Sequence, residues 1–413
     1  MIRLYPLSES QHRCPFDDAK LEPIGWYIPG MRNLADLRCP ECGREFYGDL
    51  PAGHGLNYPM LLDKQTGKVH DPYGVDWFAD WLRSSHADRS KERLGLVEEE
   101  FHPVRSPLLL NCLDTIYGHC LLKLLNAQYY LEHRTDFDLV VLVPTFMRWM
   151  VPDGVAAIWT VDSPLRRGTE WNDWLAADLH QRLEPYAQCW LSAAYSHPHP
   201  KHYSIERFTR VKPFPVGEWN ERLSTPTVTF IWREDRVWAA AGPPARMPRV
   251  IARLKVRVGF DDPNGEQGQR VALLATQLRH AFPALDFAVV GLGSQGGMPA
   301  WIDDLRQPAI TDRVEKTWCE RYARSHVVIG VHGSNMLLPS AHAGATVELM
   351  PPQCSGNIIQ DLLMPDVDCR EILLRYRILP SSISSVDLAA TVVFLLRDLC
   401  LVRTSLTHQS VDP

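Results

Sequence analysis

The 413-residue sequence lacks long uninterrupted apolar runs, a cysteine-dense framework and an excess of basic residues. Its most hydrophobic stretch, residues 139–159, contains Arg148, Asp153 and two prolines, which favours two buried strands and a loop over a bilayer-spanning helix. The start of the chain turns polar after Pro6 and has no apolar core of roughly 7–15 residues, as an export signal needs. Ten cysteines in this length do not make a disulfide scaffold. We therefore expect a cytoplasmic protein with reduced thiols and no transmembrane segment.

The charge balance argues against nucleic acid as a partner. Lys and Arg number 43 and Asp and Glu 49, for a formal net charge of −6. Binding to a phosphate backbone requires clustered Lys and Arg. The hydrophobic content of 45% and charged content of 22% exclude wholesale disorder. The length suffices for about two to three domains.

The first 60 residues contain the pattern of a small metal-binding module. Cys39 and Cys42 have the C-x-x-C spacing with which two thiolates reach one metal ion, and Gly43 permits the tight turn that follows. Upstream, Cys14 is followed by Asp17 at the position where a second cysteine would stand. We predict a zinc-ribbon-like module whose zinc is held by Cys14, Asp17, Cys39 and Cys42.

The fourth ligand of this site is open from sequence alone, because Asp17, His12 and His54 each offer a suitable atom. Full coordination would leave no position for a substrate, so the zinc would be structural. The competing interpretation is a redox pair or a chance pair. A redox pair normally opens a helix after a strand, whereas the residues after Gly43 favour the far side of a hairpin.

From about residue 110 the chain alternates strand-like and helix-like segments, twice over. Residues 138–144 form a continuous β-branched run typical of a parallel strand. The predicted strands are 138–144, 156–161, 188–194, 228–232, 287–293, 326–330 and 345–350. The predicted helices are 111–133, 169–183, 267–280, 312–324 and 386–399. Between the two halves, the prolines of residues 196–224 predict an interdomain linker.

This alternation predicts an α/β protein with two doubly wound, Rossmann-type domains facing a cleft. The predicted organisation is a zinc-ribbon-like module at 1–60, a connecting segment at 61–107, α/β domains at 108–215 and 225–385, and a C-terminal helix and tail at 386–413. We expect the C-terminal helix to pack back over the first α/β half.

The most informative segment is 325–349. A predicted buried strand leads into His332, Gly333, Ser334 and Asn335, after which a helix is expected to begin. Ligands of open α/β sheets bind at the carboxyl ends of the strands. Gly333 permits close approach of the backbone, and a helix N-terminus offers N–H groups to an anion. The segment therefore predicts a diphosphate site, although it is neither G-x-G-x-x-G nor a Walker loop.

This segment resembles the hallmark of glycosyltransferase family 61, which includes EGF-domain O-GlcNAc transferase and plant xylosyltransferases. Members carry G-x-H-G-A-G-L-x-N and, further on, G-A-x-V-x-E-L. The matching residues are Gly330, His332, Gly333, Gly344, Ala345, Val347, Glu348 and Leu349. Asn335 replaces the second glycine of the pattern, and Leu338 replaces its asparagine.

Two weaker marks accompany this segment. The predicted helix around His119 resembles the family's N-x-x-H-x-x-x-E helix but lacks the acidic residue. The strand before Arg233 resembles the family's strand ending in Ser-Arg, with Arg236 as the second arginine. The resemblance covers about residues 108–380.

The resemblance implies a GT-B fold and inverting transfer of a sugar from a nucleotide sugar, without a catalytic metal. The acceptor hydroxyl would belong to a glycan, a protein or a small molecule. A leaving diphosphate needs positive charge, which Arg233 and Arg236 can supply. The loop of Gly333, Ser334 and Asn335 would contact the phosphates, and Glu348 would hold the ribose hydroxyls.

Inverting transfer also needs a base for the proton of the acceptor hydroxyl, and histidine suits that task. The predicted catalytic residues are His332, on the donor side, and His119, on the acceptor side. Asp114, Asp162 and Glu234 are alternative carboxylate bases. The alternative function is a non-catalytic zinc-ribbon interaction protein with a degenerate α/β body. A Rossmann oxidoreductase would need a Gly-rich first turn followed about 20 residues later by an acidic residue, and the chain lacks this pattern.

Overall fold

The computed structural model describes residues 1–5, 11–238, 263–364 and 368–407. The chain divides into two compact units, Met1–Phe208 (unit 1) and Thr209–Pro413 (unit 2). The division falls within the proline-rich segment 196–224. Within the described ranges, every helix is too short or too polar to cross a membrane.

Residues 1–5 and 11–208 of unit 1 contain eleven strands, and the α-helices lie mainly in the second half of the unit. The strands are β1 (Ile2–Tyr5), β2 (Glu22–Tyr27), β3 (Leu34–Arg38), β4 (Glu45–Asp49), β5 (Leu61–Asp63), β6 (Val69–His70), β7 (Leu96–Glu100), β8 (Pro107–Asn111), β9 (Asp138–Pro144), β10 (Ala157–Val161) and β11 (Cys189–Leu191). The helices are α1 (Asp76–Ala87), α2 (Tyr117–His133), α3 (Asp173–Leu183) and, at the boundary between the units, α4 (Ile205–Thr209).

The main sheet of unit 1 has the order β1-β11-β8-β9-β10-β7. The four central strands are parallel, and β1 and β7 are antiparallel strands at the two edges. Strand β9 is buried from Leu139 to Pro144, as its continuous apolar run predicts. The chain runs from β8 through β9 to β10 and then returns to place β11 on the other side of β8. The strand order of unit 1 therefore reverses between β8 and β11.

The N-terminal region of unit 1 differs from the predicted separate module. Strands β2 to β6 form an antiparallel meander that extends to His70, and β1 and β7 belong to the main sheet. Apolar side chains of the meander, such as Phe46, share one core with Leu109 and Val140 of the main sheet. The segments 1–60 and 61–107 are thus parts of unit 1 rather than a module and a connector. The helix predicted at 111–133 begins only at Tyr117, because β8 precedes it.

Unit 2 contains six strands and six helices within its described residues. The strands are β12 (Thr227–Trp232), β13 (Asp286–Leu292), β14 (Asp303–Gln307), β15 (Val327–Val331), β16 (Ala345–Met350) and β17 (Tyr376–Pro380). The helices are α5 (Trp219–Arg222), α6 (Pro263–Ala281), α7 (Asp312–Tyr322), α8 (Leu337–His342), α9 (Cys369–Arg375) and α10 (Ser385–Thr407).

The sheet of unit 2 has the order β14-β13-β12-β15-β16-β17, and every strand pair is parallel. In chain order this is 3-2-1-4-5-6, the order of a doubly wound dinucleotide-binding sheet. The predicted α/β class is confirmed, with one mainly parallel sheet in each unit. The last helix, α10, buries Leu388, Val392 and Leu395 in the core of unit 2. The apolar face of this helix thus packs in the core of unit 2, and the expected packing over the first α/β half stays a prediction.

Candidate functional site

The strand order of unit 2 reverses between β12 and β15, which pair in register with Ile231 opposite Gly330. The carboxyl ends of these two strands therefore emerge side by side, and this is where open α/β sheets bind ligands. Arg233 directly follows β12, and His332 directly follows β15. We call this the switch-point site. It consists of Arg233, Arg236, His332, Gly333, Asn335, Glu348 and Asp361.

His332 is 3% exposed and is held by two carboxylates. Its Nδ1 contacts Glu348 Oε1 in a short hydrogen bond and lies 3.0 Å from Asp361 Oδ2. Glu348 lies on the neighbouring strand β16, and its other oxygen accepts a hydrogen bond from the Tyr376 hydroxyl on β17. Because both partners of Nδ1 are carboxylates, Nδ1 carries a proton, which leaves Nε2 as the nitrogen that can meet a ligand.

The charge of this cluster affects Asp361. Burial, followed by the nearby charge of Glu348, raises the pKa of Asp361 to about 6. The carboxylate also accepts a hydrogen bond from the Gly333 N–H at 2.7 Å. Asp361 therefore links the loop backbone to the His332 ring. Asp361 could not be identified from the sequence, since it lies outside any strand or helix and nothing in its local pattern sets it apart.

The two arginines lie against the loop that follows β15. Arg233 Nη1 donates to Asn335 Oδ1 at 2.6 Å, and Arg236 donates to the His332 carbonyl in a short hydrogen bond. Gly333 has a φ of 144°, and a Cβ at this position would collide with the Arg233 guanidinium. The backbone conformation therefore favours glycine, and any larger residue would displace the Arg233 guanidinium. Arg233 also binds Asp235 through Nε at 2.8 Å and Nη2 at 2.5 Å.

Two expectations for this loop need correction. The Gly333 N–H is engaged by Asp361, and a 3₁₀ turn at Ser334–Met336 precedes α8, which is only six residues long. The Gly333 N–H is therefore already taken by Asp361, and the positively charged side chains beside the loop are those of Arg233 and Arg236. Glu348 has no exposed surface, and both of its oxygens are hydrogen-bonded. It positions His332 and is not available to a ribose.

A second polar cluster lies where the strand order of unit 1 reverses. Asp114 follows β8, His119 lies in the first turn of α2, and Lys123 lies one turn further along that helix. His54 comes from the 3₁₀ helix Gly53–Leu56. We call these four residues the Asp114 cluster. His119 was predicted from sequence, whereas His54 and Lys123 were not assigned to this cluster.

Asp114 is the centre of this cluster and has no exposed side-chain surface. Lys123 Nζ lies 2.8 Å from its Oδ2, His119 Nδ1 lies 3.2 Å from its Oδ1, and His54 Nε2 lies 3.5 Å from Oδ2. Burial by itself would raise the pKa of Asp114, but the charge of Lys123 and the hydrogen bonds from His119 and His54 outweigh it and hold this pKa well below its usual range. Asp114 is thus ionised at neutral pH, orients His119, and is a poor base.

The four predicted metal ligands come together in unit 1. The ligand atoms of Cys14, Asp17, Cys39 and Cys42 all lie within 4.8 Å of one another. The alternative fourth ligands lie elsewhere, because His12 Nε2 is 2.8 Å from the Asp49 carbonyl and His54 belongs to the Asp114 cluster. All ten cysteines are free thiols.

No protein-family model matches the sequence, and no curated protein matches it. Among solved structures, E. coli ADP-heptose LPS heptosyltransferase II aligns at 13% identity over 72% of this chain and 99% of its own, with a TM-score of 0.37. The spinosyn forosaminyltransferase SpnP aligns at 11% identity over 73% of this chain and 94% of its own, with a TM-score of 0.33. Likeness at this level carries no argument, so the fold assignment rests on the sheet topology and the resemblance to family 61 stays a prediction.

Proposed function

We propose that the protein is a glycosyltransferase that binds a nucleotide sugar at the switch-point site and transfers the sugar to an acceptor hydroxyl with inversion. The observation that carries the proposal is the pair of arginines, Arg233 and Arg236, against the loop at the strand reversal of a 3-2-1-4-5-6 sheet. The acceptor belongs to a glycan, a protein or a small molecule.

The arginines suit a diphosphate. The guanidinium fork matches phosphate oxygens in two parallel hydrogen bonds. Arg233 is already paired with Asp235, but the side chain of Asp235 is 71% exposed. The Arg233 side chain is 18% exposed, but its partner carboxylate can turn into solvent, so a diphosphate carrying more than one negative charge can take over this arginine.

His332 would assist the departure of the diphosphate. Glu348 and Asp361 hold its Nδ1, and an Nε2–H of this ring would donate to a diphosphate oxygen. The bond from the anomeric carbon to that diphosphate breaks as the acceptor oxygen bonds to the same carbon. One such displacement inverts the configuration and leaves no sugar on the protein.

The acceptor proton is assigned to His119. Its Nδ1 lies 3.2 Å from Asp114 Oδ1 and 3.3 Å from His54 Nε2. When Nδ1 donates to Asp114, Nε2 carries the lone pair that takes the proton. Lys123 keeps Asp114 ionised and so maintains this tautomer. The other carboxylates considered as bases, Asp162 and Glu234, are exposed and belong to neither cluster.

Calorimetry with uridine, guanosine, cytidine and adenosine diphosphates tests the proposal. At least one should bind the parent protein, and Arg233→Ala should weaken that binding by about 10- to 150-fold, since a charge-assisted hydrogen bond contributes roughly 1.5–3 kcal/mol. The matched control is Arg222→Ala, an exposed arginine of unit 2 paired with Glu218, which should leave the affinity unchanged.

Absence of binding to every nucleoside diphosphate would contradict the proposal and favour the non-catalytic adaptor. If a sugar diphosphate is turned over, NMR of the product decides the stereochemistry. Retention of the anomeric configuration would refute the single displacement.

A further inference from the structure

Two turns near the start of unit 1 share the same backbone geometry. In the first, the Cys14 N–H donates to the Ala19 carbonyl at 2.8 Å, and the Asp18 N–H donates to the Cys14 carbonyl at 2.9 Å. In the second, the Cys39 N–H donates to the Arg44 carbonyl at 2.8 Å, and the Gly43 N–H donates to the Cys39 carbonyl at 3.0 Å. The hydrogen bonds of one turn thus repeat those of the other, position by position.

The backbone torsions repeat as well. Asp18 has a φ of 61° and Gly43 has a φ of 71°, so the fifth residue of each turn is left-handed. Glycine adopts this conformation freely, and aspartate is among the few other residues that tolerate it. When the two turns are aligned on these residues, Cys14 corresponds to Cys39 and Asp17 corresponds to Cys42. The sequence shows one C-x-x-C knuckle, whereas the structure shows two knuckles of the same form.

The side-chain atoms of the two turns converge at distances that suit one tetrahedral ion. Two sulfurs at about 2.3 Å from zinc lie about 3.8 Å apart, and a sulfur and an oxygen on the same zinc lie about 3.5 Å apart. Cys14 Sγ and Cys42 Sγ are 3.7 Å apart, and Cys39 Sγ is 3.3 Å from Asp17 Oδ2. A disulfide would need about 2.05 Å between the sulfurs.

We propose that the paired knuckles bind one structural zinc ion through Cys14, Asp17, Cys39 and Cys42, with Asp17 in the place of a fourth thiolate. This site is separate from the switch-point site and does not depend on the proposed function. Cys14 and Cys39 belong to the core that Leu109 and Val140 of the main sheet share. The ion therefore stabilises unit 1 as a whole rather than the N-terminal residues alone.

Because Asp17 corresponds to Cys42, a substitution at Asp17 that raises the affinity for zinc can be tested. Asp17→Cys would complete two C-x-x-C knuckles, and thiolate is a preferred ligand of zinc. Asp17→Ala would leave three thiolates. Because Asp17 is exposed, neither change removes core packing. Asp18→Asn is the matched control, since it removes a neighbouring charge and keeps a residue that tolerates positive φ.

The experiment uses the full chain, purified without chelators under reducing conditions. Elemental analysis should find about one zinc per chain, and competition with a chromophoric chelator gives the affinity. Asp17→Ala should lower the affinity by more than about 100-fold, since loss of an outer partner of a metal ligand already costs about 10–100-fold. Asp17→Cys should raise it by at least about 10-fold, and Asp18→Asn should stay within about 3-fold of the parent.

Absorption spectra of the Co²⁺-substituted protein report the ligand set directly. The parent should show tetrahedral cobalt with three thiolates, and Asp17→Cys should show four. A parent that neither carries zinc nor takes it up would overturn the proposal, as would a Cys14–Cys42 disulfide found by mass spectrometry. Equal affinities of the parent and Asp17→Ala would overturn the assignment of Asp17.

Discussion

Replacing Lys123 with methionine should destabilise unit 1 strongly. Lys123 is 1% exposed, and its Nζ lies 2.8 Å from Asp114, whose side chain is fully buried. Methionine has a similar volume, so the change leaves little cavity and acts mainly on charge. Removing one partner of a buried ion pair costs about 3–5 kcal/mol. That is a large part of the roughly 5–15 kcal/mol that holds a typical domain folded.

The assay is urea unfolding monitored by hydrogen exchange, which separates peptides of unit 1 from those of unit 2. Peptides of β8 and α2 should lose about 3–5 kcal/mol of protection in Lys123→Met, and those of unit 2 should keep theirs. The double variant Lys123→Met/Asp114→Leu should recover part of the loss, because apolar replacement of a whole buried pair is often close to neutral. Arg222→Ala, which breaks an exposed pair with Glu218, should cost less than about 0.5 kcal/mol.

The pH dependence gives an independent check. The pKa of Asp114 is held well below its usual range in the folded protein, so its charge contributes stability above the ordinary aspartate pKa, and this contribution is lost as the pH falls toward the folded value. The stability difference between the parent and Lys123→Met should therefore narrow on going from pH ~4 to pH ~2.5, below the ordinary aspartate pKa. A loss below about 1 kcal/mol, or the same loss at both pH values, would refute the reasoning.

Two further predictions concern the switch-point site. Burial raises the pKa of Asp361 from 3.8 to about 6. The stabilisation of the folded protein by the protonated Asp361 carboxyl is therefore fully present below pH ~4. As the pH rises through about 6, this stabilisation is lost, by about 3 kcal/mol. The free energy of unfolding of Asp361→Asn, measured in urea, should lack this decline with pH. A pH profile equal to that of the parent would contradict the assignment of the decline to Asp361. Gly333→Ala would push Arg233 off the loop and should weaken nucleoside diphosphate binding by at least about 10-fold. Gly356→Ala, where a Cβ meets no atom within 4 Å, should leave the binding measured by calorimetry unchanged.

The strands with continuous apolar runs could be predicted from the sequence. Strand β9 has the predicted bounds, and β12, β15 and β16 begin within one residue of them, because a strand buried on both faces needs an unbroken apolar segment. Strand β14, with the sequence DDLRQ, was missed since an edge strand needs little apolar content. Strand β8 was missed because its leucines continue into a helical pattern.

Some residues of the candidate sites could likewise be predicted from the sequence, and others could not. Arg233 and His332 could be identified from sequence, because each follows a strand and strand ends bind ligands. Asp361 and His54 could not, since each reaches its cluster from a loop or short turn whose position is set by contacts far along the chain. The role expected for Glu348 differs from the one that the structure indicates, for a related reason. Its motif was recognised, but only its burial against His332 and Tyr376 shows that it serves the histidine.

The α/β class, the arginine and histidine at the strand ends and the three cysteines near the start of the chain could be recognised from the sequence, since each depends on neighbouring residues or short spacings. Tertiary structure decided that β12 pairs with β15, that two carboxylates hold His332, and that Asp17 lies opposite Cys39. The physical reason is that these contacts join segments whose separation along the chain carries no local signal. Such contacts form only when the sheets pair and the cores close around them.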